Sequence, residues 1–388
     1  MNFNPYPFER LRNLLRDCNT QRTGINLSIG EPAFDSPKNV LDSIKENASS
    51  IRYYPTLQQD LVQAQRGFVS RRFNIELRDD EIIPTFGSRE VLFSFPHFLC
   101  LTHKLKSTKP TIAFPNPFYQ IYEGAQIANN ADVIYMPLTE QNNFKPSLCK
   151  EDLARVDIVI LNSPNNPTGQ ILNIDELRWW VRAALNNDFI LINDECYSEI
   201  YEESSPPSVL EASIIESNSP RFKNVFAINS ISKRLSAPGL RSGFVAGDKE
   251  ILKPYRVFRS YVGISMPIVL QRASIVAWNQ NEYAEHIRRK FALNLAMARK
   301  IFSDCQIFPY AFYVWLQIGS KGVCDGYSID EMFVKELFKR TGHLVLPGSY
   351  LGRQGLGEGF VRIALTQEEE IMRNVLMQIK AFRDDFMI

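Results

Sequence analysis

The sequence predicts a three-layer α/β/α fold on a mainly parallel sheet, joined to a smaller α+β domain. Three observations predict it. Short runs of Ile, Val, Phe and Leu recur along the middle of the chain without alternating with polar residues, as strands buried on both faces do. Two of these runs bracket a stretch with helical spacing, the order of a right-handed parallel crossover. After about residue 268 the pattern changes to long helical stretches separated by single strands.

The opening stretch MNFNPYPFERLRNLL has amphipathic helical spacing and lacks the basic-then-apolar order of a secretion signal. The expected compartment is the cytoplasm. The apolar runs at 111–114, 132–136, 157–162, 189–194, 224–229 and 242–247 are the expected strands of the large sheet. The helix in NIDELRWWVRAALNN is opened by Asn173, with Glu176 three residues on. Continuous helical spacing from Val269 to Phe302 predicts one long helix. FYVWLQI follows as a strand. SIDEMFVKELFKRTG is a helix opened by Ser328 and Glu331 and closed by Gly342. FVRIAL is a further strand, and Thr366 with Glu369 is expected to open the last helix. The N-terminal segment is too short for its own domain. The division expected is therefore 1–45 with the small domain, 46–268 as the large domain, and 269–388 as interdomain helix plus small domain.

Composition excludes several classes. With a formal net charge of +1 over 388 residues, no global basic field points to nucleic acid or an anionic membrane. The most apolar stretch, VLFSFPHFLCL, is interrupted by Ser94, Pro96 and His97 and is short of the roughly 20 residues a spanning helix needs. The 6 cysteines form no CxxC pair and no disulfide framework, and the 4 histidines are scattered, so no metal site is expected.

In open α/β sheets ligands bind beyond the carboxyl ends of the strands. Here those ends are rich in polar groups. One strand runs into Ser163-Pro164-Asn165-Asn166-Pro167-Thr168-Gly169, one ends in Asp194-Glu195-Cys196-Tyr197, and one ends in Ser230-Ile231-Ser232-Lys233. In SISKRLSAPGLRSGFVAG no carboxylate offsets Lys233, Arg234 or Arg241. A lysine, an aspartate ending a buried strand, an Asn-Pro turn and a Ser/Arg cluster suit pyridoxal 5′-phosphate. Its aldehyde needs a lysine, its ring nitrogen a carboxylate, its phenolic oxygen hydrogen-bond donors, and its phosphate an arginine, hydroxyls and a helix N-terminus.

These stretches, in this order, resemble the class I/II aminotransferases, pyridoxal-phosphate enzymes of fold type I, over essentially the whole chain. The resemblance implies that Lys233 in SISK is the Schiff-base lysine and that Ser230 and Arg241 bind the cofactor phosphate. It implies that Asp194 pairs with the pyridine nitrogen, while Tyr197 and Asn166 (in NNPTG) bond the phenolic oxygen. FGSREVLF places Gly87, Ser88 and Arg89 at the helix start that holds the phosphate. Tyr119 in PNPFY is implied to stack on the ring. Arg362 in FVRIAL is implied to grip the substrate α-carboxylate, with Gly30 of SIGEP and Asn166 beside the substrate. YYPT matches a tyrosine lent to the phosphate of a partner subunit. Spacing favours Tyr53 over Tyr54, though the glycine usual just after this motif is replaced by TLQQD. The family implies a homodimer acting on small amino and keto acids.

The arginine that binds a distal carboxylate in aspartate-specific members has no clear counterpart; its place falls near Tyr261. Arg353 and Arg259 are weaker candidates for a distal contact. SKRLSAPGLRSGFVAGD with LPGSYLGR most resembles succinyldiaminopimelate aminotransferases of lysine biosynthesis. That implies L-glutamate as donor and N-succinyl-2-amino-6-oxopimelate as acceptor. The alternatives are an aspartate, aromatic or broad-range aminotransferase, or a carbon–sulfur lyase of the same fold. SISK also fits the SxxK pattern of penicillin-binding enzymes, but the SDN and KTG elements are missing. GLGEG lacks the full dinucleotide-loop pattern.

Overall fold

The computed structural model describes residues 3–216, 220–263, 265–324 and 326–386. A seven-stranded sheet forms the centre of the molecule. Its strands are β1 (Ile82–Thr85), β2 (Thr111–Asn116), β3 (Asp132–Pro137), β4 (Ile158–Asn162), β5 (Ile190–Asp194), β6 (Val225–Ser230) and β7 (Gly243–Gly247). Their order across the sheet is β1-β7-β6-β5-β4-β2-β3. The ladders from β3 to β6 are parallel, and only β7 runs against its neighbours β6 and β1.

The unalternating apolar runs have a simple cause. In β4, Val159 and Leu161 enter one hydrophobic cluster while Ile158 and Ile160 enter another on the opposite face. In β5, Leu191 and the pair Ile190/Ile192 divide in the same way. Each such side chain is worth about 1.5–3 kcal/mol by burial, so a register slip is strongly disfavoured. Asn173 caps helix Ile174–Asn187 reciprocally with Glu176, at 3.0 and 2.8 Å. This fixes where the chain re-enters after β4.

The small domain has a three-stranded antiparallel sheet of β8 (Tyr313–Gln317), β9 (Leu346–Pro347) and β10 (Phe360–Ala364), in the order β9-β10-β8. At the start of helix Ile329–Thr341, Glu331 accepts from Ser328 N at 3.0 Å, the glutamate half of the expected box, while Ser328 Oγ makes no hydrogen bond; the helix ends at Gly342 in the left-handed region. Leu11 of the N-terminal helix Pro7–Leu14 joins the small-sheet core, and helix Lys38–Asn47 packs on helix Ile268–Trp278.

Two expectations fail. The stretch from Val269 to Phe302 is not one helix: Ile268–Trp278 and Asn281–Ile301 are separate. Tertiary partners take the carbonyls at the end of the first. Arg234 donates to Ala277 O and to Asn281 Oδ1, and Arg71 donates to Trp278 O. Arginine capping of this kind ends a helix without a glycine or proline to announce it. Thr366 does not cap the last helix, which begins at Glu369, and its Oγ1 makes no hydrogen bond. Its backbone is bridged instead to Ala33 and Ala364. Strand β1 escaped the sequence reading because Pro84 interrupts a run of four; it is an edge strand, where proline is tolerated.

Candidate active site

The carboxyl ends of β4, β5 and β6 open on one cavity of about 470 Å³, closed on its far side by the small domain. All the predicted site residues line it except Gly87 and Tyr53.

At the end of β5, Asp194 is buried. Its carboxylate accepts from Tyr122 Oη at 2.8 Å and from Cys196 N at 3.2 Å. Burial pushes its carboxyl above the ordinary range, the response of a carboxylate with no cation beside it. At the end of β4, Asn162 donates to Asp194 O at 2.9 Å and accepts from Asn166 N at 2.8 Å. One buried amide thus ties two strand ends and aims the Asn166 side chain.

Ser230 ends β6 and accepts from Ser232 N, starting the short turn that presents Lys233. Lys233 Nζ donates to the Gly30 carbonyl. Burial lowers its pKa to about 8, with Arg362 and Arg241 pushing the same way and Cys196 and Glu31 opposing. Because β7 reverses direction, the chain returns at Ser242 to the edge it left, bringing Arg241 back to the cavity.

Arg241 is held by Pro238 O at 2.8 Å and Phe86 O at 3.4 Å. Gly87, at φ +77°, opens helix Ser88–Thr102 without any side-chain cap. A Cβ there would lie 2.3 Å from the Arg241 guanidinium, so only glycine lets the helix start and the arginine meet. Uncapped N–H groups beside a cation make an anion site. Arg89 turns its side chain to the Tyr119 hydroxyl at 2.7 Å and the Tyr6 hydroxyl at 3.3 Å.

Arg362, on β10, is 4% exposed and pairs with no carboxylate among the described residues. It donates to Asn166 Oδ1 at 2.9 Å and Ser28 O at 2.6 Å, lies 4.4 Å over the Tyr313 ring, and leaves Nε without a partner. A guanidinium so buried and so incompletely paired is suited to an incoming carboxylate. Gly30 is required by closeness: an added Cβ would sit 2.0 Å from the Tyr313 hydroxyl.

The other candidates lie elsewhere. Tyr53, Tyr54 and Tyr261 are exposed and outside this cavity. Arg259 is paired with Glu90, and Arg353 with Glu123 through Nε at 2.7 Å and a second nitrogen at 2.5 Å. Neither lines this cavity. Sequence reading missed Tyr122, Tyr313, Cys196 and Tyr6. Tyr122 stands one helical turn from Tyr119, a spacing that could have flagged it; Tyr313 reads as ordinary strand core.

Among the described residues no helix is long and apolar enough to cross a membrane. The chain is 30% identical over 374 residues to the LL-diaminopimelate aminotransferase of Aquifex aeolicus, covering 92% of this chain and 90% of that protein. The crystal structure of aminotransferase AspB from Helicobacter pylori superposes with a TM-score of 0.94 at 48% identity, covering 99% of this chain and all of that one. An aminotransferase structure from Neisseria meningitidis superposes at 0.87 with 34% identity, over 98% of each chain. The sequence profile described as aminotransferase class I and II matches residues 22–379, and the chain belongs to that family of aminotransferases.

Proposed function

We propose that this aminotransferase works with pyridoxal 5′-phosphate, moving an amino group from L-glutamate to a diaminopimelate-type keto acid in a ping-pong cycle. One observation carries the reading: a lysine with lowered proton affinity, a buried unpaired carboxylate and a buried incompletely paired guanidinium line the same cavity. The residues fit the cofactor. Asp194 lacks only a cation to stay ionised, and the pyridine nitrogen would supply it. Arg241, Ser230 and the uncapped helix start at Gly87, Ser88 and Arg89 suit a phosphate. Tyr197 and Asn166 suit the phenolic oxygen, and Tyr119 the ring face.

When bound, the cofactor supplies an electron sink for the negative charge left on the substrate α-carbon. The chain supplies the rest. Arg362 holds the α-carboxylate and so fixes which bond at the α-carbon faces Lys233. Lys233 Nζ, neutral in part near neutral pH, takes the α-proton and returns it one step later. Asp194 keeps its charge within the sheet end, locked by Tyr122 and Cys196.

Ile51, Tyr53 and Tyr54 are large exposed side chains close together in the chain, and we assign the protein as a homodimer with Tyr53 lent to the partner's phosphate site. N-succinyl-2-amino-6-oxopimelate is the acceptor favoured by the sequence. The second reading is a keto acid whose amination gives LL-diaminopimelate, favoured by the name of the Aquifex aeolicus relative. The test is an absorbance spectrum of the loaded protein before and after L-glutamate. A near-visible band that gives way to that of the amino-form cofactor is expected, and Lys233→Ala should lack the starting band. A starting band that L-glutamate leaves unchanged would overturn the donor assignment. The two readings are then compared by 2-oxoglutarate release from L-glutamate with N-succinyl-2-amino-6-oxopimelate as acceptor, and in reverse by L-glutamate formation from LL-diaminopimelate and 2-oxoglutarate.

A further inference from the structure

Tyr313 stands where three parts of the site meet. It lies on β8, diagonal to Arg362 across the ladder and on the same face of the small sheet. It is 3% exposed. Its hydroxyl is 3.0 Å from that of Tyr197, and its ring lies 4.4 Å under the Arg362 guanidinium. The backbone of Gly30, whose carbonyl accepts from Lys233, is packed directly against the same hydroxyl.

Each tyrosine has one proton to give. Neither hydroxyl makes another hydrogen bond among the described residues. On the cofactor reading above, on which this inference rests, Tyr197 gives its proton to the cofactor's phenolic oxygen. It can then only accept from Tyr313. The direction of the chain is therefore fixed: Tyr313 to Tyr197 to the phenolic oxygen. We propose that Tyr313 is a positioning residue that polarises Tyr197 through this bond while its ring holds Arg362 flat, so that a small-domain strand sets the proton affinity of the lysine-linked cofactor.

The physics gives a sign. A donor at the phenolic oxygen favours its ionised form. A hydrogen bond received by Tyr197 makes Tyr197 a stronger donor, since linked hydrogen bonds polarise one another. The Tyr313 hydroxyl thus lowers the cofactor's proton affinity, and its loss raises it. The charged and titratable groups facing this chain are Arg362 from β10 and Cys196 from the turn after β5. Those facing Lys233 are Arg241, Arg362, Glu31 and Cys196. All are unchanged by Tyr313→Phe, which keeps the ring beneath Arg362 and removes only the hydroxyl.

The test is a spectrophotometric pH titration of the near-visible band in pyridoxal-phosphate-loaded wild type, Tyr313→Phe, Tyr197→Phe and the double variant, with KM for L-glutamate measured alongside. Tyr313→Phe should raise the midpoint by roughly 0.3–1 pH unit, a two- to tenfold gain in proton affinity, and leave KM within about twofold. Tyr197→Phe should raise it further, and the double variant should add nothing to Tyr197→Phe. Tyr313→Leu, which also loses the ring, should raise KM; if it fails to fold, Tyr313→Phe still decides the matter. An unchanged midpoint in Tyr313→Phe overturns the proposal. So does a shift that adds in full to that of Tyr197→Phe, because Tyr313 would then not act through Tyr197. A wild-type protein that shows no near-visible band refutes the cofactor reading itself, and this inference with it.

Discussion

Replacing Lys233 by methionine should stabilise the cofactor-free protein near neutral pH, and the gain should shrink as pH rises. The lysine pKa falls from an ordinary 10.5 to about 8 on folding, first through burial. A group that binds its proton less well when folded is destabilising while protonated. Stability therefore rises as pH climbs from about 8 to about 10.5, where the unfolded chain still holds the proton and the folded one has lost it. At about 1.4 kcal/mol per pKa unit, the lysine costs about 3 kcal/mol at pH 7 and about 2 kcal/mol at pH 9. The bond from Lys233 to Gly30 O offsets roughly 1 kcal/mol of this, and the cavity's solvent reduces it further. Lys233→Met should thus be more stable by about 1–2 kcal/mol at pH 7. The change between the two pH values is the sharper quantity, because pH-independent terms such as packing cancel in it. It should be about 1 kcal/mol, read from urea midpoints of wild type and variant at both pH values. A variant whose advantage is absent at pH 7, or equal at both pH values, would refute the argument that the site holds a lysine at a cost to folding.

Arg362→Lys keeps the charge but loses the two-pronged fork, so KM for L-glutamate should rise about tenfold or more while the near-visible band is unchanged. Gly30→Ala should lower the urea midpoint by the equivalent of about 1–3 kcal/mol, because the new Cβ meets the Tyr313 hydroxyl and the strand cannot yield freely. Arg353→Ala leaves Glu123 buried without its partner, and about 2 kcal/mol of stability should be lost. That is below the usual cost of breaking a buried pair, because the arginine is one-fifth exposed. Adding Glu123→Gln should restore part of it, and KM for L-glutamate should stay within about twofold, since neither side chain faces the cavity.

Most of the large sheet was legible because its central strands are buried on both faces, so hydrophobic runs marked them; the edge strand β1, interrupted by Pro84, was not. The cavity residues Asn166, Asp194, Ser230 and Lys233 were legible because they sit at or just beyond the ends of those runs, where a polar residue is conspicuous. What escaped was set by contacts distant in sequence. The break at Trp278 depends on Arg71 and Arg234, whose reach no local pattern announces. The Thr366 pattern matches a capping box, yet its backbone is bridged to Ala33 and Ala364 and the helix starts three residues on. Tyr122 and Tyr313 look like core because they are core; their roles lie in hydroxyls whose partners are 72 and 116 residues away. Arg362 stood out in the sequence as a cation within an apolar strand, whereas the carboxylate partners of Arg353 and Arg259 are visible only in the structure.

The reversal at β7 has a consequence for how such a chain can change over time. Ser230 and Gly243 are paired in the ladder, so the excursion carrying Lys233 and Arg241 begins and ends on one rigid frame. The separation of those two side chains behaves as a fixed ruler, whatever the small domain does. Arg362 belongs to a different sheet. Drift in the small domain can therefore retune what is gripped by Arg362 without recalibrating the ruler, and new substrate preferences need not be invented together with a new anchor for the group that reacts with them.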